Sequence, residues 1–433
     1  MDNWFRFLAG GQMNRILFLF IAVASLSTMS RSQPVAIKCG TLIDGISGTP
    51  LQNALIILEG DRIRDVGTNL TIPDGARVID LSRATVLPGL IDCHTHLLLH
   101  GGSYDDQILK ESLPYRAILG TVAARRTLGA GFTTIRDVET EGAMYSDVAL
   151  RDAVNNGVIP GPRIFASTRS LSITGGYSPY GYAVNVPHGA QLADGVDGVT
   201  KAVREEIEFG ADWIKIYADS RYRHRVADSL VGSTTFTDDE LKAIVHEAEK
   251  VGIHVCAHCY TSEAAQRSLR AGVKSIEHGL YLDNETFRLM KQKNAYWVPT
   301  LIAYVDWAED STNSPEVRRM VEYSVKRHKE TFARGLASGV NIAFGSDCYD
   351  PHGGGTREFG LMVDYGMAPM KAIQSATSVA SRLLDQETEI GSIRRGKLAD
   401  IIAVDGNPLE NIRTLEHVRF VMKGGKVYKN DIR

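Results

Sequence analysis

Cysteine is scarce: five residues, Cys39, Cys93, Cys256, Cys259 and Cys348, in a chain of 433. A sparse and odd set offers no disulfide framework, so cysteine use says nothing about the compartment. A basic excess is also missing. The formal net charge is −3, and no run of Lys and Arg is long enough to make a field for nucleic acid. No glycine-rich phosphate fingerprint follows the first strand-like segment, which removes the support for a doubly wound nucleotide fold. What is present is an ordinary globular balance, 44% hydrophobic and 23% charged, in a chain long enough for one large domain and a smaller one.

The N-terminus stands apart. Met13-Asn14-Arg15 precedes an apolar or small stretch over 16–26, followed by small polar residues to Ser32. A basic start, a short apolar stretch and small residues beyond it read as a secretory signal over 1–32, with Met13 a candidate start. The stretch is short for a membrane span, so no stable span is expected after its removal. The expected location is periplasmic or secreted. An anchor helix or a plain tail is the competing reading.

From residue 33 to 87 the chain reads as short strands joined by turns such as Glu59-Gly60-Asp61 and Pro73-Asp74-Gly75. Residues 389–433 return to that style, with Lys423-Gly424-Gly425-Lys426 as a hairpin turn. The two ends are expected to pair into one small composite β-sandwich domain. Between them, over 88–388, strands alternate with helices. The strand candidates are 86–96, 132–137, 163–168, 213–217, 254–258, 275–278, 297–300 and 342–347. Thr237 to Glu240 has capping-box spacing at one helix start, Gly272 closes a helix begun at Ser262, and Gly339 closes another begun near Ser314. Eight strands with helices between them predict an α/β fold of the (β/α)8 TIM-barrel type. Residues 169–195, rich in Gly, Tyr and Pro, predict a long loop over the mouth.

The chemistry sits at the ends of those strands. His94 and His96 are two apart and project from one strand face. His258, His278 and Asp347 end three later strands. Lys215 lies inside the apolar run Trp213-Ile214-Lys215-Ile216-Tyr217. A lysine there either snorkels at a rim or is buried as a neutral amine. A neutral amine can capture carbon dioxide, and the resulting carbamate can bridge two metal ions. With four histidines on neighbouring strands the carbamate is the reading preferred. His254 reads as structural, and His246 and His328 as helix residues. Cys93 is out of phase with the two histidines and is expected to face outward; Cys256 shares the parity of His258 and is expected to face inward. The cysteines are read as packing residues rather than ligands or a disulfide.

HxH on strand one, Lys on strand four, His on strands five and six and Asp on strand eight resemble the binuclear branch of the amidohydrolase superfamily. Leu87-Pro88-Gly89-Leu90-Ile91-Asp92, Gly131 to Asp137, Ser275-Ile276-Glu277-His278-Gly279 and Gly396 to Ile401 carry the same likeness. It spans about residues 34 to 430 and is most specific for the Xaa-Pro dipeptidase and imidazolonepropionase-like group, which includes carboxypeptidases and ochratoxin-hydrolysing enzymes. The resemblance implies two divalent ions, with zinc expected. His94, His96 and Asp347 would hold one ion and His258 with His278 the other. Lys215, as N6-carboxylysine, would bridge them. Tyr260 matches a position that polarises the scissile carbonyl. Relatives often carry Gly-Gly-His after strand three, where this chain has Gly175-Gly176-Tyr177, so Tyr177 is only a candidate substrate contact.

These parts predict water activated on metal, with Asp347 as general base and then acid. The expected partner is a small amide, a dipeptide or an N-acyl amino acid, with a homo-oligomer as a possible assembly. Arg136, Arg221 and Arg223 are candidate anchors for a substrate carboxylate, each as easily a structural or surface residue. A deaminase or cyclic-amide hydrolase on the same barrel, and a non-catalytic binding protein of this fold, are the alternatives.

Overall fold

The computed structural model describes residues 33–183, 185–220, 230 and 232–432. The candidate export signal and the candidate anchors Arg221 and Arg223 lie outside the described residues. The first strands are β1 (Val35–Leu42), β2 (Leu51–Gln52), β3 (Leu55–Glu59), β4 (Arg62–Gly67) and β5 (Arg77–Pro88). Next come β6 (Leu90–Thr95), β7 (Phe132–Asp137), β8 (Arg163–Ala166), β9 (Leu171–Ser172), β10 (Gln191–Leu192) and β11 (Trp213–Tyr217). They are followed by β12 (Asp219–Ser220), β13 (Ser233–Thr234), β14 (His254–Thr261), β15 (Ser275–Tyr281), β16 (Tyr296–Val298) and β17 (Asn341–Ile342). The chain ends in β18 (Ile401–Asp405), β19 (Val418–Lys423) and β20 (Lys426–Asn430).

The two chain ends share one eight-stranded sheet, ordered β20-β19-β18-β5-β1-β3-β4 with β2 on β1. Alternation explains its packing. Ile37, Ile56, Val86, Ile401, Ala403, Phe420 and Met422 fill one apolar cluster. The intervening Ile402, Val404 and Val421 join the main core with Leu90 and Phe132. β18 is therefore buried on both faces and ties the terminal sheet to the rest of the body.

The remaining strands make a mixed α/β body. β6, β7 and β8 form a parallel sheet, and β10-β9-β11-β14-β15-β16-β17 a second. A few backbone hydrogen bonds link the two, among them that of the Asp347 amide to His94 O at 2.8 Å. The Asp212 amide donates to Ala166 O at 2.7 Å, and that of Cys93 to Phe344 O at 2.9 Å. Helices lie between strands as the sequence predicts. Thr237 and Glu240 form a capping box on the helix Asp238–Glu249. Gly272 and Gly339, both left-handed, close the helices Ser262–Ala271 and Pro315–Ser338.

Four local expectations need correction. Strand one breaks at Gly89, where a Cβ would meet Thr133 Oγ1 at 2.1 Å, so only glycine passes. Strand eight keeps only β17 as regular strand. Beyond it, Asp92 Oδ1 takes the Ser346 amide, and Asp347 turns left-handed at φ 54°. Strand seven ends at Val298, because Thr300 is also left-handed, at φ 51°. Cys93 does not face outward. The β6–β7 pairing shifts register between Asp92 and Thr95, which breaks the alternation, and Cys93 packs with Cys256, Trp213 and Val298. All five cysteines are free. The described residues of 169–195 carry no helix before Gly195, but they do contain the short pair β9 and β10.

Candidate active site

Six side chains predicted from scattered segments meet at the C-terminal ends of the parallel strands. His94 Nε2 and His96 Nε2 lie 3.8 and 3.1 Å from Asp347 Oδ1. His278 Nδ1 lies 3.9 Å from Asp347 Oδ2. The imidazoles of His94 and His278 are 4.8 Å apart, and those of His258 and His278 are 4.5 Å apart, centre to centre. Lys215 is 1% exposed, and its charge reaches His94, His278 and Asp347. Donor atoms of His94, His278 and Asp347 fall within 4.8 Å of one another, a spacing that could hold a metal ion.

Electrostatics prepare these groups for coordination. Burial, then the charge of Lys215, holds His94 well below the usual histidine range. Burial and the neighbouring His258 do the same for His278. Both are neutral lone-pair donors, the form that metals bind. His96 goes the other way. Burial opposes its charge, but the hydrogen bond and charge of Asp347 raise it to about 9. Burial would raise Asp347, yet His94, His96 and Lys215 outweigh it and keep the carboxyl below its ordinary range.

The family profile of the amidohydrolases matches residues 85–428. The chain belongs to the amidohydrolase family. Ochratoxinase of Aspergillus niger is 31% identical over 438 aligned residues, covering 93% of this chain and 88% of that protein. A crystal structure of a Xaa-Pro dipeptidase with methionine in its active site superposes with a TM-score of 0.84. It has 36% identity and covers 92% of this chain and 100% of the other. The A. niger ochratoxinase structure gives 0.82 at 29% identity, covering 92% and 96%. This amidohydrolase is accordingly a hydrolase acting on amide bonds, which sets aside the non-catalytic alternative. Metal dependence is typical of the family, and the clustered donors above are this chain's candidates for it.

Several residues around the amidohydrolase site carry roles that sequence reading missed. Asp92 accepts the amides of His94 and Ser346, each at 3.0 Å. Asp137 accepts that of Leu97 at 2.8 Å. Asp219 accepts those of Tyr260 and Thr261 at 2.9 and 2.8 Å. Glu358 accepts those of Leu301 and Ile302 at 2.9 and 2.7 Å. Buried acidic side chains thus satisfy backbone amides near several of the strand ends. Burial pushes Asp92 and Asp137 up to about 7 and Asp219 up to about 6.

A second acidic group, Glu139 and Glu141, adjoins His96, whose Nδ1 is 3.7 Å from Glu141 Oε1. Tyr177 donates to Glu141 at 2.9 Å and Tyr104 at 2.5 Å, while Tyr217 donates to Glu139. The candidate contact Tyr177 is therefore anchored on the loop after β7. The alternation Asp137-x-Glu139-x-Glu141 at a strand end was the available signal. Tyr260 packs against His258 and His278, with ring centres 4.4 and 5.8 Å away.

Arg136 is not positioned as a substrate anchor. It is fully buried and bonds Cys93 O, Ser275 and Glu277. His254, at the start of β14, pairs with Asp385 at 2.6 Å, and His246 is exposed on its helix. His328 is buried in the helix Pro315–Ser338 and lies 3.1 Å from the carbonyl of His278.

Proposed function

We propose that the chain is a two-metal amide hydrolase of dipeptides or N-acyl amino acids with a free carboxylate, ochratoxin-type amides among them. The convergence of four histidines, Lys215 and Asp347 on one point is the observation that carries this reading. The names of its relatives, an ochratoxinase and a Xaa-Pro dipeptidase, agree with that substrate class.

The residues present suit two ions. Neutral imidazoles and a carboxylate are a donor set for zinc. Lys215 is 1% exposed with its Nζ 5.4 Å from the Tyr217 ring centre, and a bare ammonium buried there would be costly. A carbamate on its Nζ would replace that cation with an anion, a ligand suited to metal. In this reading His94, His96 and Asp347 would hold one ion and His258 with His278 the other, with Lys215, as N6-carboxylysine, a ligand shared between them. Bound there, the ions would make hydroxide available near neutral pH and polarise the amide carbonyl.

The chain's own residues do the rest. Asp347, its side chain 20% exposed, accepts the proton of the attacking water and delivers it to the departing amine. Tyr260 donates a hydrogen bond to the developing oxyanion. In the same reading, residues 88–388 close as a (β/α)8 barrel, and 33–87 with 389–433 make a β-sandwich beside it. Residues 1–32 direct export to the periplasm or beyond. No helix among the described residues is long and apolar enough to cross a membrane.

A panel of dipeptides, N-acyl amino acids and ochratoxin-type amides tests the substrate class. Release of the C-terminal amino acid from at least one group is expected. Release of ammonia from nucleobases, with inert dipeptides and N-acyl amino acids, would replace this reading with a deaminase.

A further inference from the structure

The four histidines of the proposed centre are not backed alike. His278 Nδ1 rests 2.8 Å from the neutral hydroxyl of Thr300. His96 Nδ1 is 3.3 Å from the carbonyl of Glu139. His94 Nδ1 alone among these three meets a buried carboxylate at hydrogen-bond distance, Glu277 Oε2 at 2.8 Å. The other oxygen of Glu277 accepts from Arg136 at 2.9 Å and from Ser275 at 2.5 Å. Arg136 also donates to Cys93 O at 2.7 Å, one residue before His94. Its guanidinium sits 4.5 Å from the Trp213 ring. Side chains from β6, β7 and β15 are thereby locked together, with Arg136 and Glu277 fully buried.

A buried ion pair is poor value for stability alone, since well-packed apolar residues of the same volume do as well or better. What this pair does that apolar residues cannot is fix a proton. We propose that the Arg136–Glu277 pair is a positioning device for His94, holding its imidazole with the proton on Nδ1 and Nε2 turned towards the ion site. Glu277 sets the tautomer and ring angle. Arg136 holds the Glu277 side chain in place, and through Cys93 O it fixes the backbone that carries the ring. Histidine ligands elsewhere depend on such partners, whose loss typically weakens metal binding 10- to 100-fold. The inference rests on the metal-centre reading above.

The test is the zinc affinity of the folded, full chain, measured by competition with a chromogenic chelator, with thermal unfolding of the metal-free protein recorded alongside. Glu277→Gln keeps the shape and removes the charge. Arg136→Met combined with Glu277→Leu removes both charges, so no lone buried charge remains. Both are expected to lose ~10- to 100-fold in affinity at one of two sites. Cobalt-loaded variants should also show shifted visible bands, which a purely structural role would not produce. If the double variant does not fold, the single variant decides. Folded variants that bind zinc as tightly as wild type, with unchanged cobalt spectra, overturn the proposal and leave the metal centre standing. Wild-type protein that takes up no ion overturns the metal centre, and this proposal with it.

Discussion

The terminal sheet and the site end of the parallel strands are built on opposite terms. In the terminal sheet, alternate residues such as Ile37, Ile56, Ile401, Ala403 and Phe420 are apolar and bury one face. At the site end, Asp92, Asp137, Asp219, Glu277 and Glu358 are buried, and His278, Thr300 and Asp347 hold left-handed backbone. The first region is held by area removed from water. The second is held by buried acidic side chains that accept backbone amides or side-chain donors, and it stores strain where chemistry is proposed. The contrast teaches that the two regions should fail differently: one by loss of stability, the other by loss of ions and turnover.

The largest effect should come from Lys215→Ala. On the two-metal reading it removes the joining anion, so metal content and amide hydrolysis both collapse, and a short carboxylic acid restores part of each. Full metal content in this variant would remove the carbamate. Asp347→Asn should keep much of the metal yet lose turnover by a factor on the order of 10² or more. Near-normal turnover would take Asp347 out of the mechanism. Compared as metal-free proteins, neither substitution should lower the melting temperature as Phe420→Ala should.

Phe420→Ala empties a fully buried position in the terminal sheet. It should cost about 3–5 kcal/mol of stability by denaturant unfolding. The folded fraction should keep the wild-type metal content and turnover per molecule. A large fall in kcat per folded molecule would show that the two regions are not separable. The smallest effect concerns pH. Burial pushes Glu358 up to about 8. The folded chain keeps that proton while the unfolded chain releases it, so stability should fall as pH rises from about 4.5 to 8. Glu358→Gln should make that slope shallower. An equal slope in both proteins would show that Glu358 is already ionised when folded.

Legibility in the sequence followed the same division. Runs such as Phe132–Asp137 and Trp213–Tyr217 became strands within the predicted bounds, because an apolar run between turns has one solution there. Helix ends at Thr237, Gly272 and Gly339 were legible from caps, which are local. The six candidate side chains could be picked out because parallel strands gather their ends at one face. Where a long-range polar contact overrides periodicity, the reading failed. Cys93 turned inward across a register shift, and strand eight dissolved around the Asp92–Ser346 bonds. Arg136, which the sequence left open between substrate anchor and structural residue, pairs with Glu277, 141 residues away in sequence.

Metal content measured together with activity tests the central claim most directly. Purified chain should contain close to two divalent ions, zinc foremost, by elemental analysis. Chelation should abolish hydrolysis of the best amide in the panel, and returning two equivalents of zinc should restore it. Full hydrolysis of that amide after every detectable ion has been removed would contradict the account.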